Sequence, residues 1–473
     1  MTKKIIKVVR KLQFLNNYLI KSHFCRAAFT KQARKNARLV REPCLGYAQT
    51  TGFPYKSIFF FILSTLVFGN VLFAQGENLT LKVAVMGPGD QLYFWWGHIA
   101  LVIDDADAGT SRFFDYGLFS FDNDNFFYNF AFGRLLYSCG VSSTQRNLNN
   151  YFNTNRDITI YTLDVPPQLR QKVRDFAETN VLPENRDYYY HHFRDNCSTR
   201  IRDIIDIATE GQFIEQYGQA PGRYTLRQHV RRHTWFSPAP DWFLNFLMGQ
   251  VIDTPITVWD DMFLPSEVGK RIDEFWYIDG GGESRKLVSS VEVLNRAIDR
   301  PRVLDVPRKQ WPRELAFSLV LSAIFGLFFF MQAKKMRAGR ILAGLSMSVT
   351  GLFFGIAGLI LYFLNLFTNH DYTYQNANML FCSPFLLAGV PFGIGYAFTK
   401  DTGKFFLYGL LSRLLWLLTA LGIFLTMAIK LLPPFYQQNL TDQMLMLPLS
   451  LLFALQPVGL NDVLEKFLRR KKA

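Results

Sequence analysis

Two segments of this chain carry residue types that could do covalent chemistry. One is YYYHHFRDNCSTRIRD, residues 188 to 203, which contains Cys197; the other is WWGHIALVID, residues 95 to 104, which contains His98. A cysteine at the start of a helix is biased toward thiolate, because the unpaired backbone N–H groups there favour negative charge. An imidazole within reach can withdraw the thiol proton and later return it. The pair therefore reads as nucleophile and base.

The flanking residues supply the elements such a pair needs. Ile201, Ile204, Ile205 and Ala208 recur at helical spacing, Asn196 can cap the first turn, and Gly211 ends the run. These features predict a helix that begins at Cys197, its sulfur toward solvent or a cleft. His98 opens the apolar run Ile99 to Ile103, closed by Asp104, Asp105 and Asp107, which reads as a buried strand ending in a turn. A carboxylate that orients the imidazole is expected at Asp115 in FFDYG, on the strand beside His98; Asp195 or Tyr190 could serve instead, and the doubled His191-His192 offers a different base. Asn196, with Ser198 next to the nucleophile, is an oxyanion donor or helix-start support, and the cap is the favoured role. Arg200 and Arg202, near Asp203, are expected to form internal pairs or to meet a lipid phosphate.

WGHIALVID, then FDYG at 114 to 117, then DNCSTRIRD, then a run of membrane helices, is similar to the Lnb lipoprotein N-acyltransferases of Gram-negative bacteria. More distantly, the His strand preceding the Asn-Cys helix resembles the permuted papain-like thiol enzymes that include lecithin retinol acyltransferase. The likeness spans roughly residues 80 to 460, and its specific part is the His and Cys segments. It implies an acyl-thioester enzyme whose acceptor is the α-amino group of the diacylglyceryl-cysteine that begins a processed lipoprotein.

Charge and hydropathy set the frame. Residues 1 to 56 hold thirteen Lys and Arg against Glu42 alone, so twelve of the chain's +14 charges sit there. The basic excess adjoins an apolar segment, Ser57 to Ala74, and so argues for a cytosolic flank rather than a nucleic-acid partner. That segment fits a signal peptide or an anchor helix; with no methionine between Met1 and Met86, residues 1 to 56 could also be an over-extended start.

After Trp311 five apolar spans are expected, near 315–331, 341–367, 380–398, 405–432 and 443–459, forming an all-α transmembrane domain over 314–460. Lys and Arg concentrate in the loops at 333–340 and 399–404 and in the tail 461–473. The positive-inside rule puts these in the cytoplasm and residues 75–313 in the periplasm of a bacterial inner membrane. The outward loop NHDYTYQNAN carries His370, Asp371, Asn376 and Asn378, which are either ordinary interfacial groups or contacts for lipid or acceptor.

The exported segment is expected to be α+β, with strands at 81–86, 98–103, 112–121 and 157–165 and a helix after Pro166-Pro167. GGG at 280–282 reads as an exposed turn. A Cys139–Cys197 disulfide is the main alternative to a reactive thiol. No metal or other cofactor is expected. NFFYNFAFGRLLY at 125–137 suits a lipid interface or an ordinary core. The expected reaction moves an acyl chain from membrane phospholipid to the lipoprotein terminus. A membrane-anchored cysteine peptidase or amidase and a non-catalytic receptor are the alternatives.

Overall fold

The computed structural model describes residues 76–121 and 125–456; the basic flank, the apolar segment 57–74 and the basic tail lie outside the described residues. Among the described residues nine strands are present: β1 (Leu79–Met86), β2 (His98–Asp105), β3 (Thr110–Leu118), β4 (Leu136–Ser143), β5 (Ile158–Leu163), β6 (Asp187–Tyr189), β7 (Trp276–Ile278), β8 (Ser284–Lys286) and β9 (Val288–Asn295). Seven of them form one sheet in the order β6-β4-β3-β2-β1-β5-β9. Every neighbouring pair in it is antiparallel. β7 and β8 make a separate hairpin, and the glycines at 280–282 close it as the expected turn.

The centre of the sheet is buried on both faces, which explains why β2 is continuously apolar. Ile99, Leu101 and Ile103 join a core with Ile201, Ile204 and Ile205 of the helix Cys197–Ala208, whereas Ala100 and Val102 pack with Phe113, Ile158 and Ile160 on the other side. Each such side chain contributes roughly 1.5–3 kcal/mol on leaving water. The helix Pro167–Asn180 covers the same face as the cysteine helix through Val173 and Ala177, while its Phe176 stays 41% exposed. The helix Thr144–Asn153 covers the opposite face through Leu148 and Tyr151.

The pattern did not announce β4, β6 or β9. β4 mixes polar and apolar residues, β6 has three residues, and β9 is an edge strand exposed over most of its length. Residues 126–131, within the aromatic stretch, are a short helix.

Among the described residues beyond Trp311 four spans are long and apolar enough to cross a membrane: Trp311–Ala333, Arg337–Phe367, Ala377–Phe398 and Thr402–Ile429. Where the fifth span is expected, Leu440–Leu455 is a shorter apolar helix of 16 residues with Pro448 inside it. The third span is also broken, into two 3-10 turns and the helix Gly389–Phe398. It lies so close to Arg337–Phe367 that a Cβ on Gly344 would sit 2.5 Å from the Gly393 carbonyl oxygen. Small residues at such a crossing let backbones approach where no hydrophobic effect drives association.

Candidate active site

Asn196 and Thr199 form a reciprocal capping box: the Asn196 side chain accepts from the Thr199 N–H at 3.0 Å, and the Thr199 hydroxyl accepts from the Asn196 N–H at 2.8 Å. Cys197 is thus the first residue of its helix, at the positive end of the backbone dipoles. Its thiol is more enclosed than expected, with the residue 9% exposed. Cys139 and Cys197 are both free thiols, and the Cys139 Sγ donates instead to the Asn180 carbonyl at 3.0 Å.

His98 opens β2 and Asp115 lies near the end of β3, two strands paired with Ala100 opposite Asp115. That register brings His98 Nε2 to 2.6 Å from Asp115 Oδ1. The second ring nitrogen, Nδ1, is the one a thiol would use. Tyr151 stacks on the imidazole with centroids 6.2 Å apart. Burial by itself would lower the His98 pKa, but interactions with Tyr151, Asp115 and Cys197 and the hydrogen bond to Asp115 outweigh it and hold the pKa well above the ordinary value. His98 and Cys197 are therefore electrostatically coupled.

The two groups approach from different sides of the sheet. His98 and Asp115 follow the alternation of Ala100, Val102 and Phe113, while Cys197 starts the helix packed on the other face. Their common ground is the end of β3, where the register shifts between Tyr116 and Leu118 and Gly117 adopts φ +87°. A Cβ at Gly117 would lie 3.8 Å from the Cys197 Cβ and 3.4 Å from the Tyr190 ring. A residue without a side chain keeps this end of the sheet open beside the sulfur.

Other sequence candidates are engaged elsewhere. Asp195 receives both prongs of Arg200, at 2.5 and 2.7 Å, under the ring of Tyr188. Arg202 bonds Asp203 and the Trp259 carbonyl, at 2.9 and 3.0 Å. Asn196 spends its amide hydrogens on the carbonyls of His192 and Phe263, which rules against an oxyanion role and leaves the cap. The Ser198 hydroxyl is fully buried with no partner among the described residues.

His191 binds Asp371 through Nε2 at 2.8 Å and accepts two backbone N–H groups at Nδ1, so it has no lone pair for Cys197. Burial, helped by His191 and His370, pulls the His192 pKa down to about 4. The loop at 369–378 is likewise committed. His370 Nε2 donates to the Phe130 carbonyl at 2.9 Å, Asn376 to the carbonyls of Phe246 and Leu247 at 2.9 and 3.1 Å, and Asn378 to Asp442 at 2.9 Å. These bonds tie the loop to Phe130, Phe246 and Leu247 and to the helix Leu440–Leu455; of its four candidate residues only Asp371 is not buried.

Sequence reasoning missed Tyr151 and Arg156. Arg156 is 2% exposed, bonds the Gly87 carbonyl at 2.8 Å and lies over the Tyr151 ring at 4.8 Å. Nothing in NNYFNTNRD distinguishes them, since their proximity to His98 comes from how a helix folds across the sheet.

A search of curated proteins and a search of solved structures each return no match. Residues 73–232, the part of the chain that holds His98, Asp115 and Cys197, match the family model described as the Lnb N-terminal periplasmic domain.

Proposed function

We propose that this protein is a lipoprotein N-acyltransferase of the bacterial inner membrane, with Cys197 as nucleophile, His98 as base and Asp115 as the group that orients it. The observation that carries the reading is the His98–Asp115 pair, 2.6 Å apart and electrostatically coupled to a cysteine at a helix start, within an Lnb-type domain followed by apolar spans. The His-strand-then-Cys-helix order is that of a permuted papain-like enzyme. Lys and Arg in the loops at 333–340 and 399–404 support a multi-pass topology with the C-terminus in the cytoplasm.

In the first half-reaction His98 Nδ1 takes the Cys197 proton, and the raised pKa of the imidazole favours that transfer. The thiolate attacks a phospholipid ester carbonyl, the C–S bond forms, and the C–O bond breaks. The imidazolium protonates the departing alkoxide, so a lysophospholipid leaves. Backbone N–H groups of the first helical turn supply the positive field for the tetrahedral oxyanion. In the second half-reaction the α-amino group of the diacylglyceryl-cysteine attacks the thioester. The C–N bond forms, the C–S bond breaks, and the amine proton passes through His98 to restore the thiol. The balance is phospholipid plus amine giving lysophospholipid plus amide.

The test is mass spectrometry of lipoprotein N-termini from cells carrying wild-type or Cys197→Ser protein. The expected result is loss of the N-linked acyl chain in the variant. Unchanged triacylated termini would reject the transferase, and release of peptide fragments with no need for phospholipid would point to a peptidase.

A further inference from the structure

We infer that a row of stacked aromatic rings, running from beside Cys197 to the membrane face, is the binding track for the fatty chain of a membrane phospholipid, an inference that rests on the transferase reading above. The row starts at Tyr190, the ring that lies against Gly117 together with Cys197. Tyr190 stacks on Tyr137 at 4.3 Å, Tyr137 on Phe119 at 5.0 Å, and Phe119 on Phe126 at 5.8 Å. Phe126 then meets Phe127 and Phe130 at 5.5 and 6.0 Å. Exposure climbs along the row, from 8% at Tyr137 to 43% at Phe130 and 71% at Phe127. A contiguous apolar path with one end at a nucleophile and the other open to the surroundings suits a hydrocarbon chain, which gains by leaving water at every methylene.

The open end of the row meets the last turn of a membrane span. Phe132, directly after the short helix, packs on Phe363 at 5.3 Å, close to where the span Arg337–Phe367 ends. The Asn369 N–H donates to the Phe132 carbonyl and His370 Nε2 to the Phe130 carbonyl, both at 2.9 Å. These bonds fix the helix Phe126–Ala131 beside the end of that span, at the level where it leaves hydrocarbon. The helix reads FFYNFA and has no charged residue, so contact with lipid strips no ion of its water. The occupant is therefore an outer-leaflet phospholipid of the bilayer that holds the spans, its chain drawn along the rings toward the sulfur.

The test uses full-length Cys197→Ser protein in phosphatidylethanolamine–phosphatidylglycerol vesicles doped with a phosphatidylethanolamine whose acyl chain carries a diazirine. After photolysis, peptide mass spectrometry should find crosslinks in residues 119–137 as well as in the spans. Adding Phe127→Asp should cut the 119–137 crosslinks at least about five-fold, the cost of putting a carboxylate against lipid, while Phe127→Leu should keep them. Crosslinks confined to the spans, or unchanged by Phe127→Asp, would overturn the track. The readout needs no turnover. Retained crosslinks alongside unaltered lipoprotein N-termini in Cys197→Ser cells would refute the transferase and leave a lipid-contacting surface; the reverse pattern would refute the track alone.

Discussion

His98 and His229 each hold an aspartate at nearly the same distance, 2.6 Å to Asp115 and 2.7 Å to Asp261, yet the two pairs do different work. His229 has both ring nitrogens committed: Nε2–H goes to Asp261, and Nδ1 accepts from Arg232 at 2.9 Å, while Arg232 in turn reaches Glu267 at 3.3 Å. Its pair is almost sealed, with side-chain exposures of 2% and 4%, against 17% and 11% for His98 and Asp115. A saturated histidine of this kind is a structural tie between helices. His98 spends Nε2 on its carboxylate, sits at an open strand end, and faces the field of a cysteine. On the proposed function, the same two residue types become a lock or a base according to what occupies the second nitrogen.

Breaking each pair in turn should separate the roles. His98→Ala is expected to lower transfer to a lipopeptide amine by on the order of 10³-fold per folded molecule in reconstituted protein. His229→Ala leaves the Asp261 carboxylate buried without its partner and should cost about 3 kcal/mol of stability, with the rate per folded molecule retained. The comparison fails if His229→Ala abolishes turnover in protein shown to be folded.

Asp115→Asn sharpens the reading of the catalytic pair. Removing the carboxylate takes away part of what raises the His98 pKa, so the imidazolium is lost at lower pH. The alkaline limb of the transfer rate should move down in pH, and the rate should fall by roughly 10²-fold. The linked stability has a definite sign. A raised folded pKa stabilises fully below the ordinary histidine value of about 6.5 and stops stabilising as pH climbs through the raised value. Wild type and variant should therefore differ most in acid and converge in base, which denaturant titrations across pH will show.

Gly117→Ala tests the opening beside the sulfur. At φ +87° an added Cβ carries about 1–2 kcal/mol of backbone strain and lands in van der Waals contact with Tyr190, so both the melt and the rate should drop modestly.

The smallest effect is expected at the second lock, where Asp371 joins His191 and Arg194. Burial pushes its carboxyl pKa up, but the His191 bond and charge, with Arg194, override this and hold it below the usual value. Its contribution is present above the ordinary pKa of about 3.9 and lost as pH falls through the lowered one. With the side chain 34% exposed, screening leaves no more than about 1 kcal/mol for Asp371→Asn to remove at neutral pH.

Local signals in the chain were enough for the cysteine helix, because capping, helical spacing and the terminal glycine are all short-range. They were also enough for β2 and for the apolar spans, whose periodicity or length is written in consecutive residues. They failed for β9, an exposed edge strand without a buried face to pattern it. Asp195 and Tyr190 stood as alternatives to Asp115, and the histidines at 191 and 192 as alternatives to His98. Asp195 and His191 drop out only because Arg200, Asp371 and backbone amides already occupy them, a matter of distant contacts.

By itself the sequence determined a cysteine at a helix start, a histidine at a strand start, and a hydrophobic second half, since each depends on neighbours within a few positions. Tertiary structure decided which carboxylate meets His98, because the antiparallel register of β2 and β3 sets Asp115 opposite Ala100. It also decided that the polar loop at 369–378 is a set of ties and that scattered aromatic residues line up into one row. Such outcomes arise from elements far apart in the chain competing for the same hydrogen bonds and the same surface, and no window of consecutive residues contains that competition.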